Sequence, residues 1–293
     1  MSRDADAPPE ALAALDDWLA AREAAYGDVR EGADARIVWA GGRRERTPLS
    51  LVYLHGFSAS RRETAPLCDR IANALGANLF YARLAGHGRT SAAMGEARMA
   101  DWLADAERAW ALATRLGERV VLVGTSTGGT LATLFAAQRP DPRLAALLLV
   151  APNFGPRDRR SALLNLPGAR WWAPRLVGPE RIVEPENEGH ARYWTTRYPT
   201  TALIPMMQLV GAVRRAPLER LVAPTLVCYH PEDDTVDSRL TERLLPRFGA
   251  RPLEVERVAG DAGSRHVIAG DVFAPHATEA LGERAVGFLR RYA

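Results

Sequence analysis

A serine stands two residues from a glycine on either side in Gly124-Thr125-Ser126-Thr127-Gly128, between the apolar run "RVVLV" and an Ala/Leu-rich segment. That spacing suits a sharp strand-to-helix turn with the serine hydroxyl at its tip, where the crowded backbone leaves room only for very small neighbours. The same residues also suit a plain glycine-rich turn with a helix-capping serine. The two readings part on chemistry. A free hydroxyl is a weak nucleophile until a neighbouring base takes its proton, so a reactive Ser126 requires a histidine and a group that orients it.

The chain has six histidines. Where a serine at such an elbow works with an acid and a histidine, the chain order is serine, acid, histidine. His55 and His87 precede Ser126, and His190 lies in a segment rich in Trp and Pro. His230 ends an apolar run, and His276 opens the terminal helix, where capping or solvent contact is expected. His266 lies in "GDAGSRHVIAGD", a glycine-rich loop after the last apolar run, and is the expected base. The expected acid is Asp233 in "TLVCYHPEDDTVD", from its Asp-x-x-Val spacing, with Asp234 as the rival. Its role would be to orient the imidazole and stabilise its charged form. An oxyanion would need two N–H donors. The residue after the nucleophile, Thr127, supplies one. Phe57, in His55-Gly56-Phe57-Ser58 after "LSLVYL", is the candidate for the other. A metal site at the acidic turn lacks a second ligand cluster.

These groups must be carried by elements. Short apolar runs recur at 36–40, 49–55, 78–82, 119–124, 144–150, 224–230 and 253–258, and read as strands buried on both faces. Helical periodicity covers 10–26, 61–75, 100–116, 127–138, 238–248 and 277–292. Alternation of this kind predicts an α/β fold with a doubly wound, mostly parallel sheet. Residues 152–215 break the rhythm. They show no convincing strand, hold Trp171, Trp172, Trp194, Met206 and Met207, and are too long for a loop. A helical cap insertion is expected there. The division expected is 1–34 as an N-terminal helix and lead-in, 35–151 and 216–293 as core, and 152–215 as cap.

With 47% hydrophobic and 25% charged residues, the chain reads as a folded globular protein rather than a disordered one. Its net charge of +3 gives no footprint for nucleic acid. All 38 basic residues are arginine, which reads as a coding bias rather than a phosphate-binding design. Two cysteines, Cys68 and Cys228, make no disulfide framework. The charged N-terminus lacks a signal-peptide core, and no stretch is apolar enough to span a membrane, so a cytoplasmic setting is expected.

Together, "YLHGF", "RLAGHGRT", "GTSTGG", "YHPEDDTVD" and "RHVIAGD" resemble the α/β-hydrolase superfamily. The likeness is to its bacterial carboxylesterase and monoacylglycerol-lipase-like branch, also labelled serine aminopeptidase-type or lysophospholipase-like, over roughly 49–293. The resemblance implies a serine carboxylesterase that cleaves short- to medium-chain acyl esters or monoacylglycerols through an acyl-enzyme, with no metal or organic cofactor. The partner expected is a small acyl ester, not nucleic acid. Thioester, amide or carbon–carbon hydrolysis, acyl transfer and slow-turnover ligand reception stay open as alternatives. It also implies that His87, in the Gly-His-Gly loop, is structural. The family core often begins with an antiparallel hairpin, of which only "RIVWA" is evident here. The Trp and Met residues of the cap suit either an apolar acyl pocket or plain packing. The Arg/Leu/Trp mixture in "RDRRSALLNLPGARWWAPR" makes contact with a lipid surface a lesser expectation.

Overall fold

Runs of Val, Leu and Tyr form strands here because both of their faces can be buried. In the computed structural model, which describes residues 8–258 and 264–293, all seven apolar runs become strands of one sheet. They are β1 (Arg36–Val38), β2 (Thr47–Leu54), β3 (Asn78–Tyr81), β4 (Gly117–Thr125), β5 (Leu144–Val150), β8 (Thr225–Tyr229) and β9 (Leu253–Arg257), ordered β1-β3-β2-β4-β5-β8-β9. Every neighbouring pair is parallel except β1–β3, so "RIVWA" supplies one antiparallel edge strand. Alternate residues feed opposite layers. Val52, Leu54, Val120 and Leu122 join one apolar cluster, while Leu51, Tyr53, Val121 and Val123 join the other.

Helices cover both faces. The first cluster receives α1 (Leu15–Ala24), α4 (Met99–Leu116) and α5 (Thr127–Gln138); the second receives α2 (Leu67–Leu75) and α10 (Pro275–Tyr292). Trp102 and Phe288 are almost fully buried, and a large apolar side chain so placed contributes about 1.5–3 kcal/mol. A short α3 (Ser91–Glu96), capped by the Thr90 hydroxyl, has too little length to show a period. The periodicity at 61–75 becomes helix only from Leu67, because Pro66 sits at the N-cap and residues 61–66 form irregular turns. Likewise α9 (Ser238–Leu244) is shorter than its 238–248 pattern and passes into a 3₁₀ turn.

Between β5 and β8 the chain leaves the sheet in a largely helical insertion, the segment expected as the cap. It contains a 3₁₀ stretch (Arg159–Asn165), α6 (Ala169–Val177), β6 (Glu180–Ile182), α7 (Glu188–Tyr193), β7 (Arg197–Pro199) and α8 (Leu203–Arg215). The β6–β7 ribbon is a departure from the strand-free expectation: Glu180 pairs with Pro199 and Ile182 with Arg197, antiparallel. Three-residue strands, with β6 wholly exposed, carry no alternation for a sequence to reveal. Helix α8 anchors the cap, sending Met207, Leu209, Val210 and Val213 into the cluster that α5 shares. Arg30, from the lead-in, donates to the Trp194 carbonyl at 2.8 Å and to Thr195 Oγ1 at 2.9 Å, tying the N-terminal segment to the cap. Cys68 and Cys228 are buried free thiols. No helix among the described residues is long and apolar enough to cross a membrane.

Candidate active site

Strand β4 ends at Thr125, and α5 starts at Thr127, so Ser126 makes the whole turn by itself. Its backbone lies at φ 49° and ψ −116°, a strained region for a side chain-bearing residue. The turn is pinned from three sides. Ser126 N–H donates to the Val150 carbonyl at 2.9 Å, and the Ser126 carbonyl accepts from Thr130 and Asn153 N–H, both at 3.0 Å. The flanking glycines are required by contact rather than by dihedral. A Cβ on Gly124 would lie 2.5 Å from the Gly128 carbonyl oxygen, and one on Gly128 would collide with the Leu54 carbonyl.

The strands' C-terminal ends deliver the partners to one place. His266 Nε2 is 2.9 Å from Ser126 Oγ, and its Nδ1 is 2.7 Å from Asp233 Oδ2. Asp233 is 2% exposed and spends its other oxygen on the N–H groups of Thr235 and Val236, each at 2.8 Å. Those bonds hold the carboxylate toward the imidazole. Asp234 is exposed and takes a hydrogen bond from the Thr235 hydroxyl, so between the rivals it is Asp233 that meets His266. Burial disfavours the charged imidazole, but the hydrogen bond and charge of Asp233, with Glu63 and Asp234 behind them, raise its pKa above the usual value.

The other histidines do different work. His55 Nδ1–H donates to the Gly56 carbonyl at 2.9 Å, and its Nε2 accepts from Leu84 N–H at 3.1 Å. Burial lowers His55 to about 4 and takes His87, whose ring packs on His55, well below its ordinary value. Both stay neutral and brace the loop. His230 accepts from Glu232 N–H, and His276 lies at the start of α10. His190 lines the cavity from α7.

Phe57 and Thr127 line the same cavity as Ser126, and neither backbone N–H has an acceptor among the described residues. At Thr127 this follows from position, since the first N–H groups of a helix have no intrahelical acceptor and carry the positive end of its dipole. The Phe57 loop is gripped on both sides. The Ser58 carbonyl accepts from Thr195 N–H of the cap at 2.7 Å, and Glu63 Oε2 accepts from Gly56 N–H at 2.7 Å. Glu63, 2% exposed, reaches the site although spacing gives no sign of it. An acid in "SRRET" looks like an ordinary surface turn until the fold turns it inward.

These groups open into a cavity of about 370 Å³. Its far wall is cap: Leu164, Trp194, Tyr198, Leu203 and Met206. The cap's Trp and Met residues therefore divide. Trp194 and Met206 line the cavity, Met207 packs into the core, and Trp171 stands 67% exposed. Two buried polar atoms on the cavity wall, Thr127 Oγ1 and Asn153 Oδ1, have no hydrogen-bond partner among the described residues. Among the described residues no group of three His, Cys, Asp or Glu side chains is arranged to hold a metal ion.

Comparison with known proteins agrees with this architecture. Residues 51–280 match the family model described as the alpha/beta hydrolase family. A thermostable monoacylglycerol lipase from Bacillus sp. (strain H-257) is 24% identical over 249 residues, covering 85% of this chain and 93% of the lipase. A structure from work on LipS and LipT, two metagenome-derived lipolytic enzymes, superposes with a TM-score of 0.75 at 22% identity, covering 90% of this chain and 100% of the other. A soluble variant of monoglyceride lipase from Saccharomyces cerevisiae, in complex with a substrate analog, gives 0.69 at 13% identity, covering 89% and 92%.

Proposed function

The chain belongs to the alpha/beta hydrolase family, and from that premise we propose that it is a serine hydrolase of carboxylic esters working through an acyl-enzyme. The observation that carries this reading is the unbroken line of hydrogen bonds from Ser126 Oγ through His266 to Asp233 at the base of the cavity. His266 Nε2 takes the Ser126 proton as Oγ attacks the ester carbonyl. Asp233 accepts from Nδ1–H, fixes the tautomer, and stabilises the imidazolium. The oxyanion is received by the Phe57 and Thr127 N–H groups, and a preorganised donor of this kind is worth about 3–4 kcal/mol. His266 then protonates the leaving alcohol, and water repeats the cycle to release the acid. No step draws on a metal or organic cofactor.

The substrate class proposed is short- to medium-chain acyl esters or monoacylglycerol-like esters. The Bacillus relative's name and the apolar cap wall over a cavity of about 370 Å³ support it. The division expected from the sequence, core at 35–151 and 216–293 with a cap at 152–215, is kept in this reading. Its test is covalent. A fluorophosphonate probe should modify wild-type protein at Ser126, with the mass added to that peptide, and label His266→Ala far more slowly. Labelling elsewhere, or equal labelling of Ser126→Ala, would overturn it.

A second reading concerns where the substrate is met. Trp171, Leu176, Val177 and Ile182 are 54–74% exposed on the cap, with Arg170, Arg175 and Arg181 interleaved in sequence. That mixture supports contact with an anionic phospholipid surface. Hydrolysis of ester carried in anionic vesicles should then fall in Trp171→Ala/Leu176→Ser while monomeric ester is hydrolysed as before. Equal losses on both substrates would end this reading.

A further inference from the structure

Glu63 is a buried carboxylate that the mechanism above leaves unused. Its Oε2 accepts from Gly56 N–H at 2.7 Å and from the Tyr53 hydroxyl at 3.0 Å. Gly56 precedes Phe57, whose N–H is the proposed oxyanion donor, so this bond sets the plane of the loop that presents the donor. The approach is close enough that any Cβ on Gly56 would collide with the Glu63 carboxyl. The backbone of the same segment holds the histidine loop. Asp271 N–H donates to the Ala65 carbonyl at 2.9 Å, and Gly270, at φ 105°, packs so tightly that a Cβ there would lie 2.5 Å from the Glu63 carbonyl oxygen. The Glu63 segment therefore lies between the loop that carries Phe57 and the loop that carries His266, and its side chain lines the reaction cavity.

We propose that Glu63 is a positioning residue of this site: its carboxylate locks the oxyanion loop through Gly56 and Tyr53 and gives the His266 imidazolium a second negative neighbour beside Asp233. The inference rests on the serine-hydrolase reading. Burial pushes the Glu63 carboxyl up to about 6, against the pull of the Gly56 and Tyr53 donors and of His266. The titratable neighbours from the packed elements are Tyr53 on β2, which Cys68 on α2 also influences, and His266, itself facing Asp233 and Asp234. At neutral pH the carboxylate is mostly ionised. It favours the imidazolium, so it contributes to holding the His266 pKa up.

The test is Glu63→Gln, which keeps the shape and removes the charge. Using a soluble ester, kcat should fall by about tenfold or more while KM stays within about twofold, the pattern of an interaction made in the transition state. The acid limb of kcat/KM should move to lower pH by about 0.5–1 unit, because His266 has lost an opposite charge. A loss caused only by loosened packing would leave that midpoint where it was. Tyr53→Phe provides a second probe. Removing one donor to the carboxylate makes Glu63 easier to protonate, so its loss of activity should set in above the wild-type value of about 6, grow as pH falls, and fade at alkaline pH. The rate of fluorophosphonate labelling of Ser126 should follow the same pH profile in each variant. If wild type hydrolyses ester and is labelled at Ser126, but both variants keep its kcat and its acid limb, the Glu63 role is overturned and the hydrolase reading stands. If wild type is neither active nor labelled, both fall together.

Discussion

At the scale of single residues, the two adjacent acids give the sharpest contrast. Asp233→Asn leaves His266 without the acceptor that fixes its tautomer, and kcat should drop by about 10⁴-fold. Asp234→Asn removes an exposed carboxylate bonded to Thr235 and should change kcat by less than about threefold, since an exposed charge is well screened. Comparable losses in both variants would contradict the assignment. The pH dependence has a definite sign. In the proposed mechanism His266 must be neutral to act as base, and its pKa is raised, so kcat/KM should fall as pH drops through a midpoint above the ordinary value of 6.5. His55 works in the other direction and on stability. Its folded value of about 4 lies below the ordinary 6.5, so its contribution is complete above the ordinary value and is lost as pH falls toward 4, worth about 3 kcal/mol. Chemical unfolding should show a smaller loss of stability on acidification in His55→Asn than in wild type.

At the scale of elements, the serine turn depends on what its neighbours lack. Gly128→Ala would drive a methyl group into the Leu54 carbonyl, and overpacking against backbone costs about 1–3 kcal/mol or more. The variant should melt several degrees lower and lose most of its activity, whereas Gly287→Ala, in open space on α10, should keep both. These elements differ in how far the sequence reveals them. Strands such as "RVVLV" and "LAALLLV" are legible because continuous apolar runs bounded by turn residues have few other uses. The glycine spacing around Ser126 is legible for the steric reason just given, and His266 and Asp233 because each follows an apolar run in the required order. The β6–β7 ribbon is too short and too exposed to leave a pattern. The start of α2 at Leu67 is set by Pro66, which a periodicity spanning 61–75 overruns. Glu63 is invisible for a related reason: only that irregular turn sends an otherwise ordinary acid inward. Asn153 is likewise marked by no motif, and only the cavity shows its unpartnered amide oxygen.

At the scale of the molecule, sheet and cap divide the labour. In the proposed mechanism the sheet carries the reacting groups beyond the ends of β4, β8 and β9, while the cap bounds the room above them. Met206 projects into that room from α8, so Met206→Trp should shorten the preferred acyl chain without abolishing turnover of the shortest esters. A profile that keeps its wild-type optimum would show that the acyl chain lies elsewhere. The cap is itself tied back through Arg30 to Trp194 and Thr195, and through Thr195 to the Ser58 carbonyl beside Phe57. Arg30→Ala should therefore lower kcat through a loosened oxyanion loop although Arg30 lies outside the cavity lining. The measurement that bears most directly on the whole account is hydrolysis of nitrophenyl esters across a range of acyl lengths, with wild type beside Ser126→Ala. The account predicts a clear chain-length optimum in wild type and its disappearance in the variant. Equal rates in the two proteins would contradict it, because the hydrolysis would then owe nothing to Ser126.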